Sequence, residues 1–163
     1  MTRLLALALL LGGCGQGSAP DAATGSGAEL EQAAIAAGLV PDPARASIIG
    51  AWSRDNDRVC IVPGPGGRER IGIVLDYGEG DGCVAAGTVR RSDDRLDIDL
   101  GACRVDARFD GERIAFPAEV GEACARSCRG NAGLAALAVE RVSGSAAEAA
   151  TLRAPSGRLL CAD

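Results

Sequence analysis

The chain contains no histidine and no lysine. The first absence excludes imidazole general bases, Ser-His-Asp and Cys-His nucleophiles and histidine metal ligands, and the second excludes Schiff-base and P-loop lysine chemistry. Aromatic residues are nearly as scarce, with one Trp, one Tyr and two Phe in 163 residues. Beyond residue 13 the large aliphatic residues number only 10 Leu, 8 Ile and 10 Val, whereas the whole chain holds 31 Ala. A core this thin for its length needs a second source of stability. The net charge of −5 and the 47% apolar content still argue for one globular domain rather than a disordered or fibrous chain. Catalysis by carboxylates alone is the enzymatic class left open. Asp97 and Asp99 share a strand face, but nothing desolvates one of them selectively, and nearby Arg90, Arg91 and Arg95 make surface ion pairs the expectation. We therefore expect a non-enzymatic protein. Arg68-Glu69-Arg70 and Arg90-Arg91 are short basic spots in an acidic chain, so nucleic acid is not an expected partner.

What is present begins with an address. Met1-Thr2-Arg3 is a short cationic lead, and Leu4 to Leu11 is an apolar run that rises only about 12 Å as a helix, against a hydrocarbon core of roughly 30 Å. Such a run is a signal segment rather than a membrane span. It ends in Leu11-Gly12-Gly13-Cys14, which resembles the lipobox of bacterial lipoproteins. The resemblance implies cleavage after residue 13, acylation of Cys14 and an anchor of two or three chains, stable at about 0.8 kcal/mol per buried CH₂. Gly15 in place of Asp implies sorting to the outer membrane, on its periplasmic face. Residues 14–27 are small, polar and turn-rich and read as a flexible tether, leaving 28–163 as the folded domain.

Six further cysteines, Cys60, Cys83, Cys103, Cys124, Cys128 and Cys161, form an even set in an exported chain. Disulfides are the expectation, each closing a long loop and contributing about 3 kcal/mol. Order along the chain favours Cys60 with Cys83 and leaves the other four open. Cys124-Ala125-Arg126-Ser127-Cys128 is one residue longer than the redox spacing, and no two paired clusters supply four soft ligands, so neither a redox site nor a metal is expected.

Within the domain, Ser26-Gly27-Ala28-Glu29 has capping-box spacing and predicts a helix over about 27–37, stopped by Gly38 and Pro41. From Ile48 to Val120 the period becomes two. Alternating runs at 48–53, 58–62, 69–77, 83–91, 96–100 and 105–109 are separated by turn signals such as Asp55-Asn56-Asp57 and Asp110-Gly111, and Ile114 and Phe116 return the chain. This pattern predicts a mainly β fold: an antiparallel meander of about seven strands closing into a small barrel or sandwich. Ser145-Ala146-Ala147-Glu148 opens a second short helix to about Arg153, and Arg158 to Ala162 reads as a last strand. Leu134 to Val142 fits either period.

Gly50-Ala51-Trp52 at the head of the first strand resembles the G-x-W of calycin barrels, and of the Inh-type protease-inhibitor lipoproteins in particular. That resemblance implies that Trp52 plugs one barrel end beneath a basic residue of the last strand, for which Arg158 is the candidate, and that Cys60 and Cys83 form the family's early disulfide. Ser156-Gly157-Arg158 is similar to the Ser-Gly loop of lysozyme-inhibiting periplasmic lipoproteins. The acidic run Asp76-Tyr77-Gly78-Glu79-Gly80-Asp81-Gly82 lacks EF-hand spacing and reads as a solvated turn. Pro63-Gly64-Pro65-Gly66-Gly67 has no following helix or Lys and reads as a loop. The functional expectation is a lipid-anchored protein-binding module of the envelope, an inhibitor of a protease or lysozyme, that uses loop 63–67 or 76–82. An assembly subunit of an outer-membrane complex and a small-ligand carrier are the alternatives.

Overall fold

The computed structural model describes residues 22–40 and 42–162. The signal segment and Cys14 lie outside these residues. The chain divides after Val40 into two units. In the first, helix α1 spans Ala22–Ala36 and therefore begins ahead of the expected Ser26 cap, taking in residues assigned to the tether. Propensity does not account for this early start, because Thr24-Gly25-Ser26-Gly27 are four weak helix formers in a row.

The second unit is a closed eight-stranded antiparallel barrel. Strands β1 (Gly50–Arg54), β2 (Asp57–Pro63), β3 (Glu69–Gly78), β4 (Asp81–Ser92), β5 (Arg95–Leu100), β6 (Cys103–Phe109) and β7 (Arg113–Ala115) follow one another as a meander. These are the runs that alternation marked out. The eighth barrel strand, β9 (Ala138–Ser143), comes from the ambiguous segment and fits between β7 and β1. A two-residue strand, β8 (Cys128–Arg129), pairs beside the start of β4.

Closure depends on one glycine. Gly50 has φ 143°, and a Cβ there would lie 2.0 Å from the Ser143 carbonyl oxygen of β9. The register also slips between Ala51 and Trp52 at this seam. A side chain at position 50 would hold β9 off the edge of β1.

Two clusters make the core. The larger occupies the barrel interior and includes Trp52, Ile61, Ile71, Ile73, Leu96 and Ile98. The smaller lies outside the wall, where Cys60, Val62 and Val74 of β2 and β3 meet Ala149, Ala154, Leu160 and Cys161 of the C-terminal segment. That segment contains α2 (Ala146–Ala149), capped as expected by Ser145, whose hydroxyl accepts the Glu148 amide at 3.3 Å, but ending earlier than the sequence implied. The expected last strand is not formed. Arg153 and Leu159 instead make an isolated bridge, and Pro155 and Ser156 turn the chain between them.

Three disulfides join Cys60 to Cys161, Cys83 to Cys128 and Cys103 to Cys124. The expected Cys60–Cys83 pair is wrong for a reason of parity. Cys60 faces outward into the smaller cluster and Cys83 inward into the larger one, so the barrel wall separates them. The bridges fasten the three parts of the chain that the meander alone does not hold. Cys161 ties the C-terminal cover to β2, Cys128 ties β8 to β4, and Cys124, in the 3₁₀ turn Glu122–Ser127, ties the 116–137 crossover to β6.

Candidate functional site

The two ends of the barrel differ in chemistry. At one end the Trp52 indole donates to the Ile48 carbonyl at 3.1 Å and meets Phe109 edge-on, with centroids 5.8 Å apart. The cation over Trp52 is Arg141, 4.2 Å from the ring, and not Arg158. Arg141 stands on β9 opposite Trp52 in the register, and it also donates to the carbonyls of Ser47, Ile49 and Gly111. Burial lowers its pKa, and Glu112 at 3.6 Å opposes that shift. Arg91 covers Phe109 in the same way at 4.7 Å and donates to the carbonyls of Pro43 and Ala46. Both guanidiniums thus spend their donors on backbone carbonyls of the lead-in to β1, with Arg141 also bonding the β6–β7 turn. The two arginines close this end, and beside them Pro43, Ala44, Asp93 and Asp94 border a shallow surface cavity of about 520 Å³.

At the other end the chain is open. The β3–β4 hairpin turns through Glu79 (φ 53°) and Gly80 (φ 91°), the left-handed pair of a two-residue turn. Beside it lie β8 with the preceding 3₁₀ turn and the Pro155-Ser156 turn of the C-terminal cover. The three segments surround a surface groove of about 560 Å³. Val84, Ala154 and Pro155 contribute apolar surface to it. Asp76, Glu79 and Asp81 enter from the hairpin, and Arg126, Arg129 and Arg158 from the neighbouring segments.

The groove brings together two loops that the sequence marked separately, 76–82 and Ser156-Gly157-Arg158. Loop 63–67 does not take part: it is an exposed 3₁₀ turn (Pro65–Gly67) between β2 and β3. Two carboxylates of 76–82 serve backbone amides, Asp76 accepting from Gly78 at 3.1 Å and Asp81 from Asn131 at 3.3 Å. No three potential ligands among the described residues gather into a metal site. Asp97 and Asp99 lie on the opposite-facing outer surface of β5, where Asp99 pairs with Arg104 at 3.4 Å.

Arg126, Arg129 and Arg141 were not singled out from sequence. Arg141 had only an indirect signal: Val139-Glu140-Arg141-Val142 does not alternate in polarity, but a meander that must close needs one more strand. Arg126 and Arg129 had none beyond flanking Cys128. A smaller groove at the β1–β2 turn holds Asp57 and Tyr77. Burial raises the pKa of Asp57, a hydrogen bond from the Tyr77 hydroxyl partly offsets this, and one carboxylate oxygen is buried without a partner.

Comparison with protein-family models, curated proteins and solved structures finds no match for this chain. Among the described residues no helix is long and apolar enough to cross a membrane.

Proposed function

We propose that this is a lipid-anchored envelope protein, held through Cys14 on the periplasmic face of the outer membrane, that binds another protein without catalysis and inhibits an enzyme attacking the envelope. The observation that carries the reading is the groove. Two loops far apart in sequence, the acidic hairpin and the Ser156-Gly157-Arg158 turn, border one concavity. Disulfides brace both: Cys83–Cys128 lies at the foot of the hairpin, and Cys161 fastens the segment carrying Ser156. Loops held rigidly before contact lose little entropy on binding, which is the usual economy of protein inhibitors. The interior is occupied by the larger cluster, which supports a surface site over a lumenal one.

The calycin resemblance contributes support of its own. An arginine of the closing strand covers the Trp of Gly50-Ala51-Trp52, which is the arrangement that the family motif implies, though the arginine is Arg141.

The test is to incubate the full chain, in non-ionic detergent with its disulfides oxidised, with a panel of proteases and lysozymes. Inhibition by micromolar protein, reduced at least tenfold in Ser156→Trp and unchanged in Arg104→Gln on the β5–β6 face, is the expected result. No inhibition of any panel member removes the inhibitor reading. Intact mass of the native protein tests the anchor: acyl mass on a chain beginning at Cys14 is expected, and a retained leader without acyl mass overturns it.

A further inference from the structure

The charged residues of the groove are sorted by element. All three carboxylates come from the β3–β4 hairpin, and all three guanidiniums from the two segments packed beside it. Equal numbers of opposite charges in one concavity would ordinarily be expected to pair. Among the described residues none does, whereas Arg95 pairs with Asp106, Arg104 with Asp99, Arg108 with Asp94 and Arg141 with Glu112, all elsewhere. Arg126, Arg129 and Arg158 are exposed and make no side-chain hydrogen bond or ion pair among the described residues, in contrast to Arg91 and Arg141, whose donors are committed. Asp76 and Asp81 are each engaged by a backbone amide, so Glu79, at the hairpin tip, is the groove carboxylate without a partner among the described residues.

The supports of these groups are short and fastened. The hairpin is joined to β8 by Cys83–Cys128, directly opposite in the register, and the Arg158 turn is closed by Arg153, which donates to the Gly157 carbonyl at 2.8 Å. The unpaired charges are thus presented on fastened supports. Guanidinium forks that lack a partner are suited to bidentate capture of a carboxylate.

We propose that the groove is a recognition site for a dipolar peptide segment, one that carries a carboxylate and a cationic side chain within a few residues. The ligand's carboxylate is met by Arg126, Arg129 and Arg158, its cation by Glu79, and its backbone rests on Val84, Ala154 and Pro155. This rests on the protein-binding reading above and supplies the chemistry of the partner. The occupant is an exposed segment of a folded protein, the partner that the reading above calls for.

Four fluorescent decapeptides test it against the full chain in non-ionic detergent: alternating Glu-Lys, all-Glu, all-Lys and Ser-Gly. The alternating peptide should bind best, by at least fivefold over either singly charged one, and lose affinity as salt rises. Arg126→Gln, Arg129→Gln and Arg158→Gln together should weaken it at least tenfold and move the preference toward all-Lys. Glu79→Gln should weaken it a few-fold and move the preference toward all-Glu. Gln variants of Arg95, Arg104 and Arg108 should change nothing. Amide shifts at 79–82, 126–129 and 156–158 in the NMR spectrum should locate the peptide. Equal affinity across the four peptides, or binding indifferent to the triple variant, overturns the proposal. So does binding through the same arginines to phosphatidylglycerol vesicles without peptide discrimination, which would make the site a membrane contact. Enzyme inhibition that survives the triple variant would leave the protein-binding reading standing while this one fails; peptide discrimination without any inhibition or protein capture would do the reverse. Capture of a folded partner lost in the triple variant identifies the source as a protein segment.

Discussion

The β2–β3 half of the barrel and the β5–β6 half are built on different rules. In β6, and in β5 as far as Ile98, burial alternates, with Leu96, Ile98, Val105 and Ala107 inside and Asp97, Arg104, Asp106 and Arg108 outside. In β2 and β3 it does not: Val59-Cys60-Ile61-Val62 and Ile71-Gly72-Ile73-Val74-Leu75 are buried on both faces. The first half faces water, and the second lies beneath the C-terminal segment. A small barrel whose lumen is filled mostly by aliphatic side chains thus gains a second apolar layer where its sequence stops alternating. Pattern reports solvent exposure strand by strand, and a departure from alternation marks a covered face before the cover is known.

This contrast is testable from the covered half outward. Replacing Cys60 and Cys161 together by Ala should have the largest effect. The bridge closes a separation of 101 residues, so its loss should cost about 4 kcal/mol in denaturant unfolding. A drop as small as that of a surface substitution would mean that the cover docks without its staple. Gly72→Val comes next. A Cβ at position 72 would stand 2.6 Å from the Leu160 Cβ and 2.8 Å from the Cys60 sulfur, so the cover must lift, at about 3 kcal/mol. Limited proteolysis should then cut within 145–162 and leave the meander intact. Cleavage throughout the barrel would show that the two layers fold as one.

Asp57, at the head of β2, gives a smaller and pH-dependent effect. Its folded-state pKa is raised above the ordinary 3.8 chiefly by desolvation. The folded state therefore binds the proton more tightly than the unfolded one, and this contribution to stability is present below the ordinary value and lost as pH rises through the raised one. Asp57→Asn, which keeps an acceptor for Tyr77, should be more stable than the parent at neutral pH, with the two converging below about pH 4. A gain independent of pH would remove desolvation as its cause. The smallest effect belongs to the solvated half. Arg104→Gln and Arg108→Gln break exposed pairs with Asp99 and Asp94 and should each change stability by less than about 0.5 kcal/mol.

Local pattern determined much of this protein. Seven strands and most of their turns were legible because side-chain alternation and left-handed turn residues act over a few positions. The cysteine count called for three bridges in the same way. Tertiary structure decided the rest. Whether Ala138–Ser143 became strand depended on an open edge at β1 and β7 that only a folded meander presents. Disulfide partners depended on which side of the wall each thiol faced, and the cation for Trp52 on which strand closed the seam. The groove belongs to this second kind. Its walls come from residues 76–84, 126–129 and 154–158, and no local rule joins them, because closing long loops is repaid by packing that exists once the barrel has formed.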